Sequence, residues 1–309
     1  MFATCGKPKL KERTLNHLRS LGQAIHAGHQ PLVFDGGFCG LVEQRGSEVN
    51  ASEESEPGPG PEAGSRQGRR TSWRRRPSGQ TQSFRSRAVE DAHGAGFRLL
   101  AQHYEALGFE DKNGLWVAVT TKPLGQGGPQ AHLLVALPTN PSISPRAWAF
   151  SAIGRNAQLF PLKHTNFPDA SICAFTKESG AWAADDGVLA LIDHYSLWII
   201  KSWHRSVVGW WPGRQIGACA LYRRLEFTSN EFCGCDSGRL YGLCHEQADL
   251  QVPEAAAHRE FHRLFSGAYE ERSAPEQIVV SARSRWRTMP NMANMYARRI
   301  DHSEPYLPL

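Results

Sequence analysis

The chain has 309 residues, 40% of them hydrophobic, with 35 Lys and Arg against 30 Asp and Glu. That is enough apolar material for one main core with a small appendage and too little for three independent domains. The richest apolar run, Val188 to Ile200, is interrupted by Asp193 and His194, and the basic N-terminus MFATCGKPKLKERTLNHL lacks the apolar stretch of a secretory signal, so neither a membrane span nor secretion is expected.

Seven cysteines, an odd number with a cluster near residue 240, suit a reducing compartment and metal or catalytic use better than a disulfide framework; the expected location is the cytoplasm. Residues 1–43 read as an N-terminal appendage with a short helix from Leu10 to Ala27 and a Gly-rich stretch, GGFCG. Residues 44–87 are first acidic and then basic, rich in Glu, Ser, Gly, Pro and Arg, and cannot bury enough apolar area to offset their chain entropy. Arginines 66, 69, 70, 74, 75, 76, 85 and 87 carry more than the whole net charge of +5, which leaves the folded part near neutral. With Trp73 inside it, this tract has the composition of a nucleic-acid or acidic-partner contact, but a solvated linker is the favoured reading and nucleic-acid binding is not expected.

Order is expected from Ala88. Phe97, Leu99, Leu100, Tyr104 and Leu107 recur at helical spacing with Gly108 as a stop signal. Leu115–Thr121 and Ala131–Leu137 are apolar runs of strand length joined by a Gly- and Pro-bearing connection, the pattern of a hairpin. Pro138, Pro141 and Pro145 precede a third run, Ala147–Ile153, and a weaker fourth from Gln158 to Leu162. Asp185 is placed to cap a long helix from Gly187 to about Val208. Helix, strands, loop and helix in this order predict an α+β domain with one antiparallel meander sheet flanked by helices.

The loop between the strands and the long helix carries the first chemical signal. Cys173 follows the turn-forming pair Pro168-Asp169, with His164 and Asn166 upstream. A thiolate held beside polar groups that support a tetrahedral oxyanion points to covalent acyl transfer. The plain alternative is a buried structural cysteine, which the apolar neighbours Ile172, Ala174 and Phe175 permit. Cys5, Cys39 and Cys219 have no supporting context.

The second signal lies further on. Cys233-Gly234-Cys235 is followed, after Ser237-Gly238 and Tyr241, by Cys244-His245. Four soft or borderline ligands at this spacing match a closed tetrahedral zinc site, with the Ser-Gly pair reversing the chain. A complete ligand set leaves no open position, so the metal is expected to stabilise a small docking module over residues 229–250.

Residues 88–215 resemble the ubiquitin-conjugating-enzyme fold, in particular the divergent bacterial members found in antiviral or ubiquitin-like conjugation operons. His164-Thr165-Asn166 is similar to that family's His-Pro-Asn tripeptide, and Pro168-Asp169-Ala170-Ser171-Ile172-Cys173 to its Gly-Ser-Ile-Cys run. Trp182 and the later Trp210-Trp211-Pro212-Gly213 complete the series. Cys233 to His245 is similar to the SEC-C zinc motif, with Asp236 where that motif has glycine. Three further departures stand in the loop: Thr165 replaces the proline, Ala170 the glycine, and Asn166 lies one residue nearer the cysteine than in eukaryotic members.

The resemblance implies Cys173 as nucleophile, Asn166 as oxyanion support and His164 as the residue ordering the loop. It implies three partners: an activating-type enzyme, a ubiquitin-like or otherwise C-terminally activated protein, and an acceptor protein. A catalytically inert adapter, binding a partner through the same fold and the zinc module, is the alternative. Beyond residue 250 the C-terminal extension, 251–309, has helical character from Ala255 to Arg272 and a short strand expected at Ile278–Val280. His258 and His262 have helical metal spacing, yet Glu254 and Glu260 are not arranged as in a zinc hydrolase helix, which excludes a metallopeptidase.

Overall fold

The computed structural model describes residues 12–26, 30–34, 37–42, 93–124, 129–140, 142–174, 181–265 and 272–297. Residues 44–87, with the arginine tract and Trp73, lie outside them. Among the described residues no helix is long and apolar enough to cross a membrane.

The protein is mixed α+β, built on a four-stranded antiparallel meander: β3 (Glu105–Asp111), β4 (Gly114–Thr120), β5 (His132–Pro138) and β6 (Arg146–Phe150), after a separate hairpin of β1 (Gln30–Phe34) and β2 (Gly37–Val42). β4 and β5 pair over their full lengths, from Gly114 opposite Pro138 to Thr120 opposite His132. Neither strand alternates polar and apolar residues, and both are buried along almost every position. A strand of that kind needs cover on both faces.

One face takes α3 (Gly187–Val208), whose Leu191, Ile192, Tyr195, Trp198 and Ile199 meet Leu115, Val117, Leu133, Val135 and Ala147. The other takes α7 (Glu276–Arg283), α8 (Met292–Ala297) and the turn between them: Ile278, Ala282, Met292 and Met295 of the helices and Trp286 of the turn pack on Trp116, Leu134, Ala136, Trp148 and Phe150. The C-terminal extension thus closes the second face of the sheet. α1 (Glu12–His26) lies against α3, with Leu18 fully buried in the first core. A methyl on Gly22 would come within 1.9 Å of His204 Nε2, so this glycine permits the close approach of α1 and α3.

Several elements depart from the sequence expectation. The helix predicted to reach Leu107 is α2 (Ala95–His103), and Gly108 stands inside β3 opposite Val117. A Cβ there would touch the Phe97 ring at 3.0 Å, so Gly108 makes room for an aromatic ring rather than stopping a helix. Gln158–Leu162 contributes one bridge, Leu159 to Phe150, rather than a fourth strand. Ile278–Val280 is helical within α7, because only one side of that segment meets the sheet face. Asp185 does not cap α3; Asp186 precedes it, and its carboxylate accepts the Ala183 N–H at 2.7 Å. Asp193, which interrupts the apolar run of α3, accepts the Tyr104 hydroxyl at 2.6 Å. α3 ends where Gly209, at φ 99°, takes the left-handed conformation that favours glycine.

Candidate functional site

Beyond β6 the chain forms a tight loop whose two arms meet again. Thr165 and Ile172 pair as an antiparallel bridge, the Asn166 N–H donates to the Ser171 carbonyl at 2.7 Å, and the Cys173 N–H donates to the His164 carbonyl at 3.0 Å. His164 and Cys173, far apart in a linear reading, are therefore backbone partners. Ile172 N–H also bonds the Ala147 carbonyl of β6, which fixes the loop to the sheet, and the Trp198 indole of α3 donates to the His164 carbonyl at 2.7 Å. Ala170 sits at φ 56° and His164 at φ 52°. Ala170 is thus left-handed and strained by about 1 kcal/mol.

A buried polar cluster fills the loop. Ser171 Oγ donates to Asp169 Oδ1 at 2.8 Å and accepts from Asn166 Nδ2 at 3.0 Å and Arg146 Nη1 at 3.2 Å. Asn166 Nδ2 also donates to the Ile172 carbonyl at 3.3 Å, while its Oδ1 is buried without a hydrogen-bond partner among the described residues. Both amide protons of Asn166 brace the loop. An oxyanion formed at Cys173 would draw on them only by loosening one of those bonds.

Cys173 is partly accessible, but burial pushes its thiol up to about 11, and the nearby Glu226 carboxylate adds to the shift against Arg272 and Arg146. His164 is shifted the other way: burial holds its imidazole down to about 4, so the ring is neutral. Its Nε2 lies 3.1 Å from Gln215 Oε1, and Gln215 Nε2 donates to the Phe232 carbonyl at 3.3 Å. A carbonyl can only accept, which sets the amide orientation and places the His164 proton on Nε2. His164 orders the loop and has no spare basicity for the thiol.

Beneath the loop lies a buried ion network that the sequence reading missed. Glu226, at the end of α4 (Ala220–Glu226), pairs with Arg272 and with Lys163 at 3.8 Å, and Oε2 accepts the His164 N–H at 3.2 Å. Glu231 pairs with Lys163 at 3.6 Å and with Arg205 at 2.9 Å. Burial alone would raise the Glu226 carboxyl, but the charges of Arg272 and Lys163 and the His164 N–H hold it below the usual carboxylate range. Lys163, chiefly through burial, is lowered to about 8. Arg272 reaches the loop a second time, donating to the Leu162 carbonyl at 2.7 Å and lying 3.8 Å over the Phe167 ring. Phe167 in turn docks among Tyr222, Phe261 and Phe265, on α4 and at the end of α6 (Glu254–Leu264).

The second site is compact and local. Cys233, Cys235, Cys244 and His245 place their four donor atoms within 4.8 Å of one another. Cys233 Sγ lies 3.3 Å from His245 Nδ1, Cys244 Sγ 3.2 Å from the same nitrogen, and Cys235 Sγ 3.5 Å from Cys244 Sγ. Four donors around a tetrahedral metal at zinc bond lengths are separated by about 3.5–3.8 Å. The cluster is therefore compatible with a metal site, and its three thiols and one imidazole fit a soft or borderline divalent ion.

The knuckle folds around this convergence. Phe232 and Leu240 form a bridge, Cys233 N–H donates to the Arg239 carbonyl, and the chain reverses through Asp236 at φ 58° and Gly238 at φ 69°. Asp tolerates the left-handed conformation better than most side chains, and here it also meets Arg214 at 2.6 Å. The Ser237 hydroxyl, 3.1 Å from Cys235 Sγ, is the main reason that thiol is lowered to about 6. A Cβ on Gly234 would come within 2.7 Å of Gly217 N, so the knuckle is pressed against the 216–217 backbone. It is tied to α4 by Arg223, which pairs with Asp249 of α5 (Glu246–Gln251), and by the Tyr241 hydroxyl, 2.9 Å from the same carboxylate.

The structure thus gathers Cys173, His164 and Asn166 into one loop, and the four metal-ligand candidates into one knuckle. Gln215, Glu226, Arg272 and Arg146, which support the loop, have no motif in the sequence; the charged residues in otherwise apolar surroundings at Lys163 and Glu226 were the only available signal. No family model, curated protein or solved structure matches the chain.

Proposed function

We propose that the protein is a conjugating-type transferase that carries an activated protein C-terminus on Cys173. An activating-type enzyme presents the C-terminal acyl group of a ubiquitin-like protein as a thioester. Cys173 Sγ attacks that carbonyl, a new S–C bond forms as the donor's S–C bond breaks, and the departing thiolate takes up a proton. An amine of the acceptor protein then attacks, the C–N bond forms, and Cys173 leaves as a thiolate that is reprotonated while the amine sheds its proton. Orientation and carbonyl polarisation, more than a strong base, govern such a transfer.

The observation that carries this reading is the pairing of Cys173 with His164 in a braced loop directly after the four-stranded meander and against the long helix α3. A thiol near 11 is ionised in about one molecule in ten thousand at pH 7. The resting cysteine is therefore slow toward adventitious electrophiles and reacts when a donor is held against it. Cys233, Cys235, Cys244 and His245 hold zinc in this reading, and bound there it supplies folding free energy to the knuckle.

The test combines the protein with an activating-type enzyme, nucleotide and a ubiquitin-like protein. An adduct that a thiol reductant removes, and that Cys173→Ala abolishes, is the expected result; no adduct with a competent activating enzyme defeats the proposal.

Two observations favour the adapter as the second reading: the thiol is raised rather than lowered, and Asn166 has both amide protons engaged. An adapter would bind the same ubiquitin-like protein or activating enzyme without forming an adduct, which makes the outcomes separable in one experiment.

A further inference from the structure

The Cys173 loop and the metal knuckle are joined by polar contacts that neither site needs for its own turn. On one side, the His164 carbonyl holds the Cys173 N–H, the His164 ring meets Gln215, and Gln215 donates to the carbonyl of Phe232, the residue immediately before Cys233. Gln215 is 5% exposed, so both bonds are made away from water. On the other side, the Glu226 carboxylate accepts the His164 N–H, and α4, which ends in Glu226, is tied to the knuckle through Arg223, Asp249 and Tyr241. Glu231 makes a third connection: its carbonyl accepts the Tyr241 N–H at 2.8 Å, and its carboxylate pairs with Lys163, the neighbour of His164.

We propose that Gln215 and Glu226 are positioning residues that tie the conformation of the Cys173 loop to the metal-bound state of the knuckle, so that a soft divalent cation held by Cys233, Cys235, Cys244 and His245 sets the reactivity of the Cys173 thiol. His164 has a left-handed backbone, and its N–H, carbonyl and ring are each engaged by a different element: Glu226 of α4, Trp198 of α3 with Cys173, and Gln215. Loss of the metal frees residues 233–245, releases the Phe232 carbonyl from Gln215, and leaves the His164 ring without a fixed partner. The Cys173 N–H then loses its fixed acceptor. This extends the proposed function by adding metal-dependent control of the same cysteine.

The experiment uses the full chain, loaded with zinc or stripped by a chelator, with zinc content measured on each sample. The rate of Cys173 alkylation by iodoacetamide is followed on the peptide that contains it, from about pH 7 to 10, where the thiolate fraction sets the rate. In the wild type, stripping zinc is expected to change the rate about fivefold or more, a typical coupling between two sites. Gln215→Leu, loaded with zinc, is expected to react like the stripped wild type, and stripping it should change the rate less than about twofold. Gln215→Glu keeps an acceptor for His164 but no donor for Phe232, so it too should be uncoupled while retaining the circular-dichroism spectrum of the folded chain.

An equal response to zinc in wild type and both variants, or no response in wild type, overturns the proposal. Alkylation requires no acyl donor, so failure to form a thioester adduct with the coupling intact would sink only the transferase reading. A chain that binds no zinc would sink the metal assignment and this inference together.

Discussion

The knuckle and the Cys173 loop are both short reversals that place non-glycine residues in the left-handed conformation, Asp236 in the first and His164 and Ala170 in the second, but they are stabilised in opposite ways. In the knuckle, four donor atoms lie within 4.8 Å of one another and every candidate ligand lies between residues 233 and 245. In the loop, the supporting groups diverge toward distant parts of the chain: Arg146 on β6, Trp198 on α3, Glu226 on α4, and Arg272 beyond α6. A cluster of converging donors is local in the chain; a dispersed set of supports depends on the whole fold. The first holds its donors within thirteen consecutive residues, whereas the second draws its supports from elements far apart in the chain.

The largest effect is expected from the knuckle. Chelation, or Cys235→Ser with Cys244→Ser, should abolish stoichiometric zinc binding and cost at least ~4 kcal/mol of stability, since ion binding at such a site is folding free energy. Metal analysis with a thermal melt checks this, and unchanged zinc content in the double variant would contradict the ligand assignment.

Next comes the ion network. Glu226→Gln leaves Arg272 and Lys163 without their shared buried counter-charge and should cost about 3–5 kcal/mol. In molecules that remain folded, it should also speed Cys173 alkylation, because the Glu226 charge contributes to the raised thiol. A variant with wild-type stability and wild-type alkylation would remove Glu226 from the account of the loop.

Acid separates the two regions by another route. His164 has a folded pKa held below its unfolded value, so its contribution is fully present above about pH 6.5 and is lost as pH falls toward about 4. The depressed Glu226 carboxyl acts in the same direction, its contribution present above the ordinary carboxylate range and lost on further acidification. Melting across this range should show a loss on the order of 3 kcal/mol from His164, reduced in His164→Gln. A pH-independent melt would contradict the burial of a neutral imidazole.

The smallest effect contrasts Ala170 in the loop with Asp236 in the knuckle. Ala170→Gly should stabilise the chain by up to about 1 kcal/mol by relieving the backbone at φ 56°. Asp236→Gly should be nearly neutral, since aspartate accepts that conformation and its pair with Arg214 is solvent-exposed. Denaturant melts that reversed this order would show that the two turns are strained differently from their dihedral angles.

The same contrast explains what the sequence made legible. The knuckle's ligand set is visible because its residues are close in sequence and chemically uncommon together. β4 and β5 are visible because unbroken apolar runs of strand length have few alternatives. Those runs also imply cover on both sheet faces, but nothing in residues 276–297 marks them as the cover, because helix period alone does not say which surface a helix meets. Gly108 was read as a helix stop because one glycine serves either purpose; the Phe97 ring that requires it is visible only in three dimensions. Cys173, His164 and Asn166 stand out by their order in one short stretch, whereas Gln215, Glu226 and Arg272 do not, because buried polar and ionic partners are a property of tertiary pairing.

The central claim is that Cys173 carries an acyl group, and Cys173→Ser tests it most directly. In the reaction with activating enzyme, nucleotide and ubiquitin-like protein, the account predicts that the serine variant accumulates an adduct that resists thiol reductant and is cleaved by mild alkali, as an oxygen ester should be, with the modification mapped by mass spectrometry to residue 173. An adduct of unchanged reductant sensitivity, or one mapped to another residue, would contradict it.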